Sequence, residues 1–120
     1  MVKFVAVVSR KEGLDFEEFR RLWCEEHPEL VLAMPGVRRY AQNLAWKGGS
    51  REWPMDGVAE VWFDDKDAVN AAFGSPAGEA ATRHQDLFAG DVRWFLAEES
   101  TWWPAADDSD GPHDSDDEDS

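Results

Sequence analysis

Cysteine is almost absent: Cys24 stands alone among 120 residues. An intramolecular disulfide is therefore excluded, and so is a cysteine-built metal cage. Long apolar runs are missing too. The opening MVKFVAVV is broken at once by charge, is too short for a bilayer span and leads to no signal-cleavage pattern. A cytoplasmic protein with no membrane attachment is the expectation. Basic charge is scarce, with 12 Lys and Arg against 26 Asp and Glu and a net charge of -14. Without a basic patch to neutralise phosphates, nucleic-acid binding is not expected, nor is binding to an anionic membrane surface. No glycine-rich phosphate loop follows a strand, so no nucleotide cofactor is implied. His27, His84 and His113 show no ligand spacing, so no metal site is expected.

What is present is aromatic and acidic. Seven Trp and seven Phe accompany a single Tyr, and 42% of residues are hydrophobic. Such rings bury much area and stabilise a small core; they can also line an apolar pocket. The acid is concentrated at the end of the chain, where residues 107–120 hold no Lys or Arg. The expected organisation is one domain over residues 1–104 and a disordered acidic tail over 105–120. Abundant Asp with Arg outnumbering Lys also suits a halophilic, high-salt cytoplasm.

The pattern along the chain predicts a β-α-β-β-α-β order. KFVAVV (3–8) is apolar on both alternating faces and reads as a strand buried on both sides. Asp15 is an N-cap with Glu18 three residues on, and Leu14 can staple to Phe19. Phe16, Phe19, Trp23 and His27 then share one helical face. Pro28 predicts a bend or end at His27 and a short further turn over 28–33. Residues 37–46 and 57–63 read as an antiparallel pair around the loop Lys47–Asp56. Asp64 or Asp65 caps the next helix, Gly74 ends it, and Ser75-Pro76 opens a second piece closed by Gly90. Residues 92–99 form the last strand. This is the ferredoxin-like split βαβ arrangement, an α+β fold with an antiparallel sheet. Helices cover only one face of such a sheet. The other face here is also apolar, so a homodimer through the sheet faces is expected.

The stretches FEEFRRLWCEEHPEL (16–30) and MPGVRRYAQN (34–43) together resemble the EthD domain family. DAVNAAFGSP (67–76) and DLF (86–88) fit the same pattern, and the resemblance spans roughly residues 1–100. It implies a dimeric α+β barrel with a pocket for a small apolar ligand in each subunit. The family takes its name from an ether-degradation gene cluster, where its member supports an oxidative system. Relatives by fold include polyketide cyclases, small monooxygenases and dehydratases, which often need no metal or flavin.

His27 is the leading catalytic candidate, since an imidazole at a helix break can act as base or acid on an enolisable or phenolic ligand. Trp23, Tyr40, Asn43, Trp62 and His84 are the expected pocket residues. Tyr40 and Asn43 are three apart on a strand and so point to opposite faces unless a bulge intervenes. Glu60, mid-strand, is expected to pair with Arg39 or Arg93. The expectation is therefore a small cofactor-independent enzyme, or accessory oxidoreductase component, acting on a hydrophobic molecule. The competing readings are a non-catalytic binding dimer and an interaction protein with a vestigial pocket.

Overall fold

The computed structural model describes residues 1–50 and 52–105. The acidic tail lies almost wholly outside these residues. Four strands and four α-helical segments alternate in the expected order: β1 (Val2–Arg10), α1 (Phe16–Arg20), α2 (His27–Leu32), β2 (Arg39–Leu44), β3 (Gly57–Phe63), α3 (Lys66–Phe73), α4 (Pro76–Gln85) and β4 (Ala89–Ala97). A π-helical segment, Arg21–Glu26, joins α1 to α2. The sheet order is β2-β3-β1-β4, with every neighbouring pair antiparallel. This is the ferredoxin-like fold.

Side-chain oxygens start three of the helices. The Asp15 carboxylate accepts from the Glu18 amide at 2.8 Å, Asp65 from Ala68 at 2.8 Å, and the Ser75 hydroxyl from Gly78 at 3.0 Å. Each satisfies an amide that the first helical turn leaves unpaired. Leu14 packs into the cluster that holds Phe19, as a hydrophobic staple requires.

Pro28 does not break the helix. The chain widens by one residue into the π turn, and the His27 amide donates to the Leu22 carbonyl, five residues back. Proline has no amide to give, so widening ahead of it lets α2 continue. The last strand also differs from expectation. It starts at Ala89, three residues early, so Gly90 lies inside it rather than closing a helix. The register shift between Ser9 and Arg10 marks where β4 first meets β1.

Alternation divides each strand cleanly. Phe4, Ala6, Val8, Tyr40, Ala59, Val61, Phe63 and Val92 face the helices and join two packed clusters. Phe19, Trp23 and Phe88 anchor one; Val31, Met34, Val69, Ala72 and Ala81 build the other. A Cβ at Gly57 would collide with the Trp23 ring, so glycine lets the indole lie against the strand. The opposite face is not buried as the β1 pattern predicts. Val5, Val7 and Ala41 are only half-buried, and Phe95 is 54% exposed. No described element packs over them.

Candidate functional site

A cavity of about 400 Å3 lies where the two core clusters meet, between the sheet and the helices. Its walls are mostly apolar, from Phe4, Ala6, Val61, Val69, Phe73 and Trp94 among others. The indole of Trp94, on the inward face of the edge strand, is 60% exposed and forms part of the rim. This is the size and character of a small-molecule site: apolar walls with few polar groups. The polar groups come from Trp23 on the π segment, His27 on α2, Tyr40 on β2, and Asn70, Thr82 and Gln85 on α3 and α4.

His27 is the only buried polar or charged residue among those described, at 6% exposed. It follows Trp23 by four residues and Phe19 by eight, which carries the ring inward. Its Nδ1 lies 3.0 Å from Nδ1 of His84 on α4, with the two rings stacked at an interplanar angle of 15°. Phe88 packs edge-on beneath both rings, at centroid distances of 5.0 Å and 5.7 Å. The second nitrogen of His84, Nε2, lies 3.2 Å from Oε1 of Glu26. Burial pushes His27 down from 6.5 to about 4, and the charge of a protonated His84 would push the same way. At neutral pH His27 is therefore an uncharged imidazole, able to accept a proton through a bare nitrogen. The Glu26 carboxyl is held below its usual range by the His84 hydrogen bond and by Arg21.

Tyr40 faces the same cavity. Its hydroxyl oxygen accepts from Gln42 Nε2 at 2.8 Å, and the same amide donates to the Trp23 carbonyl at 2.7 Å. The π turn explains that second bond. Trp23 C=O would pair with the amide five residues on, but that residue is Pro28. The orphaned carbonyl is taken up by Gln42 instead, which ties β2 to the helix and fixes the Tyr40 oxygen. With an acceptor position of Tyr40 engaged by Gln42, the phenolic proton is free for a ligand. Burial raises the Tyr40 pKa, so the hydroxyl stays a donor rather than ionising. Gln42 was not among the candidates from sequence. Only its parity with Tyr40, two residues earlier on the strand, could have marked it.

Two expected pocket residues lie elsewhere. Asn43 and Trp62 sit on the open face of the sheet, because strand parity sets them opposite Tyr40 and Val61. Asn43 Nδ2 donates to the Val58 carbonyl and to Glu60, at 3.0 Å and 3.1 Å. The Trp62 ring lies under the Arg39 guanidinium, 4.3 Å from its centroid, and its Nε1 donates to Glu99 at 2.8 Å. Glu60 does not pair with Arg39 or Arg93. Lys3 on the adjacent β1 reaches it at 2.9 Å and holds its carboxyl below the usual range. Of the expected set, Trp23, His27 and Tyr40 line the cavity, and His84 stands directly behind His27.

Among the described residues, no group of three or more His, Cys, Asp or Glu is arranged to hold a metal ion. No described helix is long and apolar enough to cross a membrane.

Comparison with known proteins gives the same frame. No curated protein matches the sequence significantly. An EthD-family protein from Bacillus halodurans superposes with a TM-score of 0.72 at 24% identity, over 83% of this chain and 99% of that one. A dimeric protein of unknown function from Bacteroides fragilis, described as ferredoxin-like, gives 0.64 at 17% identity over 82% and 95%. SnoaB of Streptomyces nogalater, described as a cofactor-independent oxygenase, gives 0.62 at 17% identity over 87% and 97%. The EthD domain model matches residues 11–91 of this sequence, and the chain belongs to the EthD family.

Proposed function

We propose that this chain is a small enzyme, or the proton-handling component of an oxidative system, that binds an uncharged hydrophobic molecule bearing a phenol or an enolisable carbonyl. His27 takes the acidic proton, and Tyr40 donates a hydrogen bond to the oxygen where negative charge develops. The observation that carries this reading is a neutral imidazole lining an apolar cavity that also receives a phenolic donor. Base and donor at one apolar site favour the anion of the ligand over its neutral form. The fold hosts a cofactor-independent oxygenase in Streptomyces nogalater, which is compatible with chemistry driven by proton removal.

Para-nitrophenol is a direct probe, because its anion is yellow and the neutral form is not. Bound to the wild-type chain near neutral pH, it should ionise more fully than when bound to His27→Ala, because the phenolate beside His27 and the Tyr40 hydrogen bond offset the cost of charging the buried ring. In His27→Ala the phenol should still bind but remain protonated. Equal colour in both proteins would sink the base assignment. Binding with no ionisation in either protein would leave the non-catalytic binding reading in its place.

We also propose that two copies pack through their open sheet faces. The support is the uncovered apolar face of Val5, Val7, Ala41 and Phe95, and the dimeric Bacteroides fragilis neighbour. Val7→Asp would bury two unpaired carboxylates in that contact. Sedimentation should then show a dimer for the wild type and a folded monomer for the variant; a wild-type monomer at micromolar concentration would refute the contact.

A further inference from the structure

His84 and Glu26 have no task in the reading above, yet they continue a line that starts in the cavity. His27 is 6% exposed, the His84 side chain 14% and the Glu26 side chain 43%. Glu26 and His27 are adjacent in sequence, so the helix turns them about 100° apart, one outward and one inward. His84, arriving from α4, bridges the two with one ring nitrogen each, at 3.2 Å and 3.0 Å. We infer that Glu26, His84 and His27 form a proton relay from the cavity to the surface, with Glu26 the positioning residue that sets the tautomer of both rings. This inference rests on the role of His27 as base.

The tautomers follow from what each group can do. An ionised carboxylate only accepts, so His84 must carry its proton on Nε2 to bond Glu26. A neutral His84 then has a bare Nδ1, which must accept. His27 therefore carries its proton on Nδ1 and donates it to His84. That leaves Nε2 of His27 with a lone pair and with no partner among the described residues. Without the carboxylate, the order could reverse, and His27 would present an N–H to the ligand instead of a base.

The same order lets a proton leave. The ligand's O–H or C–H bond breaks and its proton joins Nε2 of His27. The Nδ1–H bond of His27 breaks, and that proton joins Nδ1 of His84. His27 is neutral again, and the positive charge rests on His84 beside the Glu26 carboxylate. The ligand anion keeps its electron pair and the Tyr40 hydrogen bond. Water at the surface then takes the Nε2 proton of His84, which leaves His84 protonated on Nδ1 and His27 on Nε2, and return of a proton along the same line restores the starting tautomers. The cost of charging a deeply buried imidazole is thereby met only transiently, and the stable product is an ion pair near solvent. Arg21 holds Glu26 from the other side, with Nη1 to Oε2 at 2.6 Å.

Nitrogen chemical shifts of the imidazole rings, recorded by NMR on the full chain at neutral pH, read the tautomers directly. The wild type should show a protonated Nδ1 on His27 and a protonated Nε2 on His84. Glu26→Ala, at an exposed helical position, should remove this preference and give mixed tautomers on both rings. Arg21→Ala removes the surface ion pair but keeps the acceptor, so it should leave the tautomers as they are. A protonated Nδ1 on wild-type His84 would overturn the relay. So would an unchanged pattern in Glu26→Ala, or an equal change in Arg21→Ala. These outcomes are separate from the phenol experiment: loss of colour only in His27→Ala with tautomers indifferent to Glu26 keeps the base and discards the relay.

Discussion

Truncating Phe88 to alanine should lower the stability of the fold by about 4 kcal/mol and move His27 back up toward its usual 6.5. Phe88 is 0% exposed. Its ring stands edge-on to Phe19 at 5.9 Å, to His27 at 5.0 Å and to His84 at 5.7 Å. Its backbone is tied down as well, since the Phe88 carbonyl accepts from the Lys11 amide at 2.8 Å. Neighbours so fixed cannot collapse into the space, and a cavity that stays open is the costly kind. The functional effect follows from the same packing. Burial is the larger cause of the low His27 pKa, and Phe88 is the ring that supplies the floor. Water admitted beneath the imidazole would stabilise its charged form. Urea unfolding reads the first effect and an NMR titration of His27 the second. Phe88→Leu, which keeps most of the volume, should recover much of both. A destabilised Phe88→Ala with His27 still near 4 would show that the floor is not what desolvates the ring.

The framework was legible because it rests on local physics. Asp15, Asp65 and Ser75 are cap residues by chemistry, and each caps where its sequence context places it. His27 was legible as inward-facing from its spacing to Phe19 and Trp23. The π turn was not, because its signature is a proline whose missing amide can be met by ending the helix or by widening it. That choice depends on Gln42, which lies 19 residues away and catches the freed Trp23 carbonyl. The His27–His84 contact joins residues 57 apart, and helical faces alone do not say which turns will meet. The place of Trp62 on the open face was hidden for a different reason. Strand parity sets it opposite Val61, and alternation in a strand apolar on both faces does not say which face turns toward the helices and the cavity. Glu60 finds Lys3 because β1 lies between β3 and β4, an order that pattern alone does not reveal.

Acid should unfold this protein earlier than its surface charges alone would dictate, and His27 should be the cause. In the folded chain its pKa is depressed from 6.5 to about 4. Above 6.5 the ring is neutral in both states and contributes nothing. As pH falls below 6.5, the unfolded chain takes up a proton that the native ring refuses, and the balance tilts toward unfolding. The loss grows until the native ring also titrates, reaching about 3 kcal/mol at 1.36 kcal/mol per pKa unit. The carboxylates act in the same direction but in a lower window. Glu18, Glu26, Glu60, Asp64 and Glu99 are all depressed, so their stabilisation is lost only as pH falls through their folded values. Most are exposed pairs of little worth. The window between 6.5 and the carboxylate range is therefore dominated by His27. His27→Gln has no proton to take up there. Urea midpoints measured across that window should fall steeply for the wild type and only slightly for the variant. Parallel curves would mean that the buried imidazole already shares its proton with His84 at little cost. Diverging curves would show one desolvated ring keeping the base neutral in the cavity and making the fold sensitive to acid.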